Sequence, residues 1–269
     1  MDLGTILTVA PIGLAGGIAG GMFGIGGSVV MIPLLTFALG PNQHLYQSAA
    51  LVANLLVAAS SALKHRGKGT IRTDIAPRML VTAGVLAIAG VLLSNQIDPK
   101  RLMALFGGFL VYLAIAESIG VLGSRGKPIE EPDPSLVRRG PAAPIAGLGG
   151  FSAGLLGIGG GVIMIPLLKR FSRVPLRQCI ATSAVVMLGS TAVGAFAKNL
   201  TVSTLKDPSG NALTLAQSLT LAATLAPTAI VGGYLGAGIS YRMPLKALKL
   251  AFAVLLAFAG ARLVMSGLR

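Results

Sequence analysis

Apolar residues run almost without interruption along this chain, and polar or charged positions gather in short clusters between the runs. From Leu3 to Leu63 there is no Asp, Glu, Lys or Arg, although about 20 apolar residues suffice to cross the hydrocarbon core of a bilayer. Further charge-free runs cover 79–97, 140–168, 178–197 and 208–241. Divided at charges and turn residues, the pattern predicts one long glycine-rich segment followed by three helices, twice over. In the first half these are 5–39, 44–63, 75–95 and 99–122; in the second, 141–168, 175–198, 213–240 and 244–266. Asp98-Pro99 reads as an N-cap with proline at the first helical position, and Met243-Pro244 stands in the corresponding place. The expected fold class is an all-α polytopic membrane protein.

The halves also share sequence. "GMFGIGGSVVMIPLL" at 21–35 is repeated as "GLLGIGGGVIMIPLL" at 154–168, and 24–35 matches 157–168 at ten of twelve positions. The chain therefore divides into a first transmembrane repeat (1–122), a linker rich in Pro and mixed charge (123–140), and a second repeat (141–269). A loop at 199–214, with the turn signal Asp-Pro-Ser-Gly, lengthens the second copy.

Composition agrees with the pattern. Charged residues make up 11% of the chain and hydrophobic ones 54%, against about 25% charged in ordinary soluble domains. The net charge of +14 lies in short loops between apolar runs. That distribution fits anionic lipid at a cytoplasmic face and not nucleic acid. The first residues lack the basic region of a cleavable signal peptide, so the N-terminus is expected to be retained. Cys179, the only cysteine, excludes an intramolecular disulfide and reads as a small packing residue.

Charge also decides topology. If each glycine-rich segment crossed the membrane once, Lys and Arg would divide nearly evenly between the two sides. If each enters and returns, one side collects 16 of the 22 Lys and Arg, as the positive-inside rule favours. The expectation is two inverted repeats, each a glycine-broken re-entrant or hairpin helix segment plus three transmembrane helices. Both termini then lie outside and the linker 123–140 in the cytoplasm.

Gly24, Gly26 and Gly27 in the first copy and Gly157, Gly159, Gly160 and Gly161 in the second mark helix breaks, since each Gly costs about 1 kcal/mol relative to Ala within a helix. Eight residues of helix separate Gly161 from Lys169, about 12 Å, which places the second break near the midplane. A helix restarting there exposes unpaired N–H groups and the positive end of its dipole, a setting suited to an anion. Broken helices in inverted repeats are also the usual pointer to a transport site. The glycines before 24 recur every four residues, a spacing that serves close helix packing.

Polar residues able to complete such a site are Ser28, Ser48 and Asn54 in the first half and Thr182 and Ser183 in the second. Self-bonding within their own helices is the competing role for the hydroxyls. Glu117, His65 and Lys198 are candidates for gating or coupling; a solvated or ion-paired helix end is the alternative for each. No metal-ligand cluster, catalytic triad or nucleotide-binding motif is present. The expectation is a non-enzyme without cofactor.

The duplicated "GIGGS/GxxMIPLL", the "ATS" at 181–183 and "HRGKG" at 65–69 resemble the TauE/SafE family, the sulfite exporter or toluene-sulfonate uptake permeases. The resemblance covers essentially the whole chain. It implies a transporter of sulfite, organosulfonates or related sulfur-containing anions, usually across the bacterial inner membrane. Members often carry Thr-Ser where this chain has Ala49-Ala50. Alternating access between the repeats is the expected mechanism; a small-anion channel and a non-transporting membrane scaffold remain the alternatives.

Overall fold

A computed structural model describes residues 3–122, 137–207 and 209–267. Ten α-helices account for nearly all of it: α1 (Leu3–Phe23), α2 (Ser28–Leu39), α3 (Gln43–Arg66), α4 (Ala76–Gln96), α5 (Pro99–Leu122), α6 (Ala142–Leu156), α7 (Gly161–Phe171), α8 (Leu176–Thr201), α9 (Leu215–Arg242) and α10 (Leu245–Gly267). Among the described residues six helices are long and apolar enough to span a membrane. Positions 123–136 of the expected linker 123–140 and the side chain of Glu117 lie outside the described residues.

Each glycine-rich segment is a hairpin. The chain leaves α1 at Gly24 (φ 66°), turns through Gly26 (φ 89°), and runs back along α1 as α2. A Cβ on Gly20 would lie 2.5 Å from Gly27 N, and one on Gly16 would overlap Met31. The second copy turns at Gly157 (φ 75°), the equivalent of Gly24, and at Gly160 (φ 83°), one residue beyond the equivalent of Gly26, and there Gly149 abuts Met164 and Gly160. Positive φ is the conformation that glycine adopts without steric penalty.

The four-residue glycine rows are explained by two seams. Gly13, Gly17 and Gly21 of α1 meet the backbone of α9 at Leu225, Ala229 and Gly233, while Gly16 and Gly20 meet α2. In the second copy Gly150 and Gly154 of α6 meet the α4 backbone at Ala83 and Ala87. In both, the first arm of a hairpin packs along the second of the three long helices that follow the hairpin in the other half. Such backbone approach, open only to small residues, drives helix association where lipid removes the hydrophobic contrast. Outward faces remain apolar, with Val81, Val85 and Leu92 on α4 and Leu250, Val254 and Phe258 on α10 exposed.

The hairpins open toward opposite faces. Thr5 near the start of α1 and Leu39 and Gly40 at the end of α2 line a cavity with Asp207 and Gln217; this is the far face. At the other, Arg138 N donates to Ser172 O at 2.9 Å, joining the start of the second hairpin to its end. That basic face also holds the α3–α4 loop, where Arg72 donates from Nε and Nη2 to the two Asp74 oxygens at 2.9 Å. The bonded guanidinium holds the Asp74 carboxyl below the ordinary aspartate range. Arg139 reaches the same carboxylate at 3.0 Å.

Helix ends follow local chemistry. Asp98 Oδ1 accepts from Lys100 N at 3.0 Å and Arg101 N at 3.3 Å, capping α5 as expected. Thr214 and Gln217 form a reciprocal capping box at α9. The turn foreseen at 207–210 is held by Asp207 Oδ1, which accepts from Ser209 N at 2.9 Å.

Candidate functional site

The two breaks meet in the middle of the bundle. A Cβ on Gly26 would stand 2.9 Å from Gly159 N and 3.2 Å from Asn54 Nδ2, and one on Gly161 would overlap the Gly24 carbonyl. The flanking helices are α3 and α8, which contribute Asn54 and Met187 about halfway along their lengths. Both residues are fully buried.

The restarting helices are treated differently in the two copies. At α2, Ser28 N donates to Asn54 Oδ1 at 3.0 Å and Asn54 Nδ2 donates back to Ser28 Oγ at 2.7 Å. Asn54 thus supplies the cap that Gly27 lacks. At α7, Gly160 provides no side chain and no side-chain cap bonds its first turn. Met187 takes the place of Asn54, its Sδ 2.8 Å from where a Cβ on Gly159 would be. The start of α7 therefore keeps the dipole and N–H groups that attract an anion.

Ser183 joins this centre, donating to Gly24 O at 2.9 Å and sharing the bond with Ile180 O at 3.0 Å. Two further polar side chains reach the second break and were not among the expected residues. Ser190 Oγ lies 3.5 Å from Gly159 O, and Gln47 Nε2 donates to Leu155 O at 3.0 Å. Spacing could have signalled both: Ser183, Met187 and Ser190 lie at i, i+4, i+7 on α8, and Gln47 and Asn54 at i, i+7 on α3.

Other expected residues lie elsewhere. Ser48 donates to Leu45 O of its own helix at 2.8 Å, the self-bonding alternative for a helical serine. Thr182 accepts from Arg72 N at 3.1 Å. Its neighbour Ser183 faces the break, so Thr182, about 100° further round α8, faces the basic-face loop instead. His65 and Lys198 occupy opposite faces: His65 Nδ1 bonds Tyr241 OH at 2.7 Å on the basic face, and Lys198 bonds Asn95 at 2.7 Å on the far face. Among the described residues no group of His, Cys, Asp or Glu is placed to hold a metal ion.

The sequence profile described as "Sulfite exporter TauE/SafE" matches residues 9–263. Among curated proteins, the chain is 25% identical to the probable membrane transporter protein YunE of Bacillus subtilis, over 96% of each. It is 30% identical to a probable membrane transporter protein of Xylella fastidiosa, over 87% of this chain and 82% of that one. It is also 25% identical to the probable membrane transporter protein MamO of Magnetospirillum gryphiswaldense, over 95% of this chain but 44% of the relative. The chain thus spans less than half the length of MamO. No solved structure matches it. With a duplicated hairpin fold, helices apolar enough to span a membrane, and a match over nearly its whole length, the chain belongs to the sulfite exporter TauE/SafE family.

Proposed function

We propose that the protein is a membrane transporter that moves a small sulfur-containing anion, sulfite or an organosulfonate, by alternating access between inverted repeats. One observation carries this: two broken helices from opposite faces meet at mid-bundle, and the one starting at Gly161 has no side-chain cap. Substrate oxygens are held by the N–H groups that follow Gly159, Gly160 and Gly161, with Ser183 alongside. Gly24, Gly26, Gly27, Ser28, Asn54 and Gly157 form the opposing wall. Because Asn54 caps α2, the second repeat provides the stronger anion pole. The basic face is cytoplasmic, against anionic lipid of a bacterial inner membrane, and both termini are outside.

Among the described residues no carboxylate bonds the groups at the two breaks, which favours an anionic cargo, since a nearby carboxylate would repel it. The sulfur class rests on the family. A counterflow panel of sulfite, sulfate, thiosulfate and methanesulfonate in proteoliposomes tests the reading. Saturable exchange of one or more of them is expected. Flux without saturation would identify a channel, and the absence of both binding and flux would identify a scaffold.

A further inference from the structure

Lys198 is a fully buried lysine near the far-face end of α8. Its Nζ donates to Asn95 Oδ1 at 2.7 Å and Ser94 Oγ at 2.8 Å and meets His44 Nδ1 at 3.1 Å. All three partners are neutral acceptors, and among the described residues no carboxylate lies within 4.0 Å of it. Hydrogen bonds satisfy the protons of a charged Lys198 but give that charge no counter-ion, and a desolvated charge without a counter-ion is strongly disfavoured.

The surroundings indicate what supplies the balance. A cavity of about 580 Å³ opens at this face and is lined by His44 and Asn95, two of the three Lys198 partners, together with Lys100 and Lys206. Asp98 and Asp207 also line it; Oδ1 of each accepts from backbone N–H groups of its own turn, and neither carboxylate forms an ion pair with Lys198. On the inner side, Ser94 Oγ donates to Gln47 Oε1 at 3.1 Å, and Gln47 holds Leu155 O beside the second break. A continuous chain of hydrogen bonds therefore links the cavity wall to the proposed substrate centre.

The other face carries a counterpart. His65 stands at the position of the first copy equivalent to Lys198, at the end of α3, and meets Tyr241 at the end of α9 and Arg177 near the start of α8 through that tyrosine. His65 is 1% exposed, and its Nε2, like Arg177 Nε, is buried without a hydrogen-bond partner. The equivalent three helix ends of the two copies thus form a cluster with a basic residue at each face, and one contains unpartnered buried nitrogen.

We propose that Lys198 forms a second small-anion site, where a substrate anion pauses between the far-face cavity and the helix breaks; this rests on the transporter reading above. An arriving oxyanion replaces the neutral acceptors Asn95 and His44 with a charged one.

The test is ³⁵S-sulfite exchange in proteoliposomes, with substrate presented to each face separately. Lys198→Gln should raise KM at the far face by about tenfold, leave kcat within about twofold, and leave the basic-face KM unchanged. Lys198→Arg should restore the far-face value. An unchanged KM, or a fall in kcat shared by both faces, would overturn the proposal. If Lys198→Gln does not fold, anomalous diffraction from wild-type crystals soaked in iodide decides: a peak against Lys198 Nζ sustains the site, and no peak there rejects it. A wild type that exchanges no anion defeats the transport reading alone, since the iodide arm still reads Lys198. Normal wild-type exchange with an unaffected Lys198→Gln defeats only this inference.

Discussion

Gly26 and Gly159, equivalent positions in the two copies, lie in direct backbone contact: a Cβ on Gly26 would stand 2.9 Å from Gly159 N. The pair therefore sits where the two halves meet, and a side chain on Gly26 would push the hairpins apart. Each half closes the other.

Gly26→Ala tests this contact. The residue has φ 89° and no room for a methyl group, so backbone strain and overpacking act together, costing about 1–3 kcal/mol. Gly40 has nearly the same φ, 87°, but nothing within 4 Å of its would-be Cβ; Gly40→Ala should show the strain alone. Melting temperature in detergent should fall further for Gly26→Ala, and only that variant should lose anion exchange.

Asn54→Ala removes the cap of α2 and leaves Ser28 N–H buried without a partner, an expected loss of about 1–3 kcal/mol. A double-mutant cycle with Ser28→Ala isolates the Nδ2–Oγ bond. Coupling between the two substitutions is expected, because each alone removes that bond. Strict additivity would contradict the reciprocal cap.

Adjacent hydroxyls on α8 should separate by function. Ser183→Ala deletes the bond to Gly24 O and should impair exchange about tenfold. Thr182→Val deletes a bond to the Arg72 amide and should mainly loosen the α3–α4 loop, seen as faster amide exchange over 70–75. The reverse ranking would return Thr182 to the centre.

The hairpins and their glycines were legible because their physics is local. Adjacent glycines break helices, and Lys and Arg mark loops, so 24–27 and 157–161 stood out without tertiary information. What each break faces depends on hairpin depth, which sequence does not encode directly. Asn54 was singled out, but its exchange of hydrogen bonds with Ser28 depends on α2 starting level with the middle of α3. The Ser28/Gly161 difference within the copied core shows the same limit. Ser28 faces Asn54, whereas a side chain at 161 would overlap Gly24 O. Thr182 was grouped with Ser183 by adjacency, although neighbouring helical residues point about 100° apart.

Asp74 offers a pH test outside the membrane spans. Its carboxyl is held below the ordinary range, chiefly by the Arg72 hydrogen bond, so its stabilisation is complete above the unfolded value of about 3.9. It is lost as pH falls below that value and through the folded one. At pH 7, Asp74→Asn should cost about 1 kcal/mol or less, as expected for a partly exposed pair. The difference from wild type should shrink in acid; a difference that grows there would contradict the assignment.

The most direct test of the central claim is thiol accessibility at the first turn of α7. With Cys179 replaced by Ala, Val162→Cys places one thiol beside the uncapped helix start. The account predicts that membrane-impermeant reagents reach it from either face, in right-side-out and inside-out vesicles, and that sulfite protects it in both. Labelling from one face alone, or labelling that sulfite does not slow, would contradict alternating access to an anion held at the helix breaks.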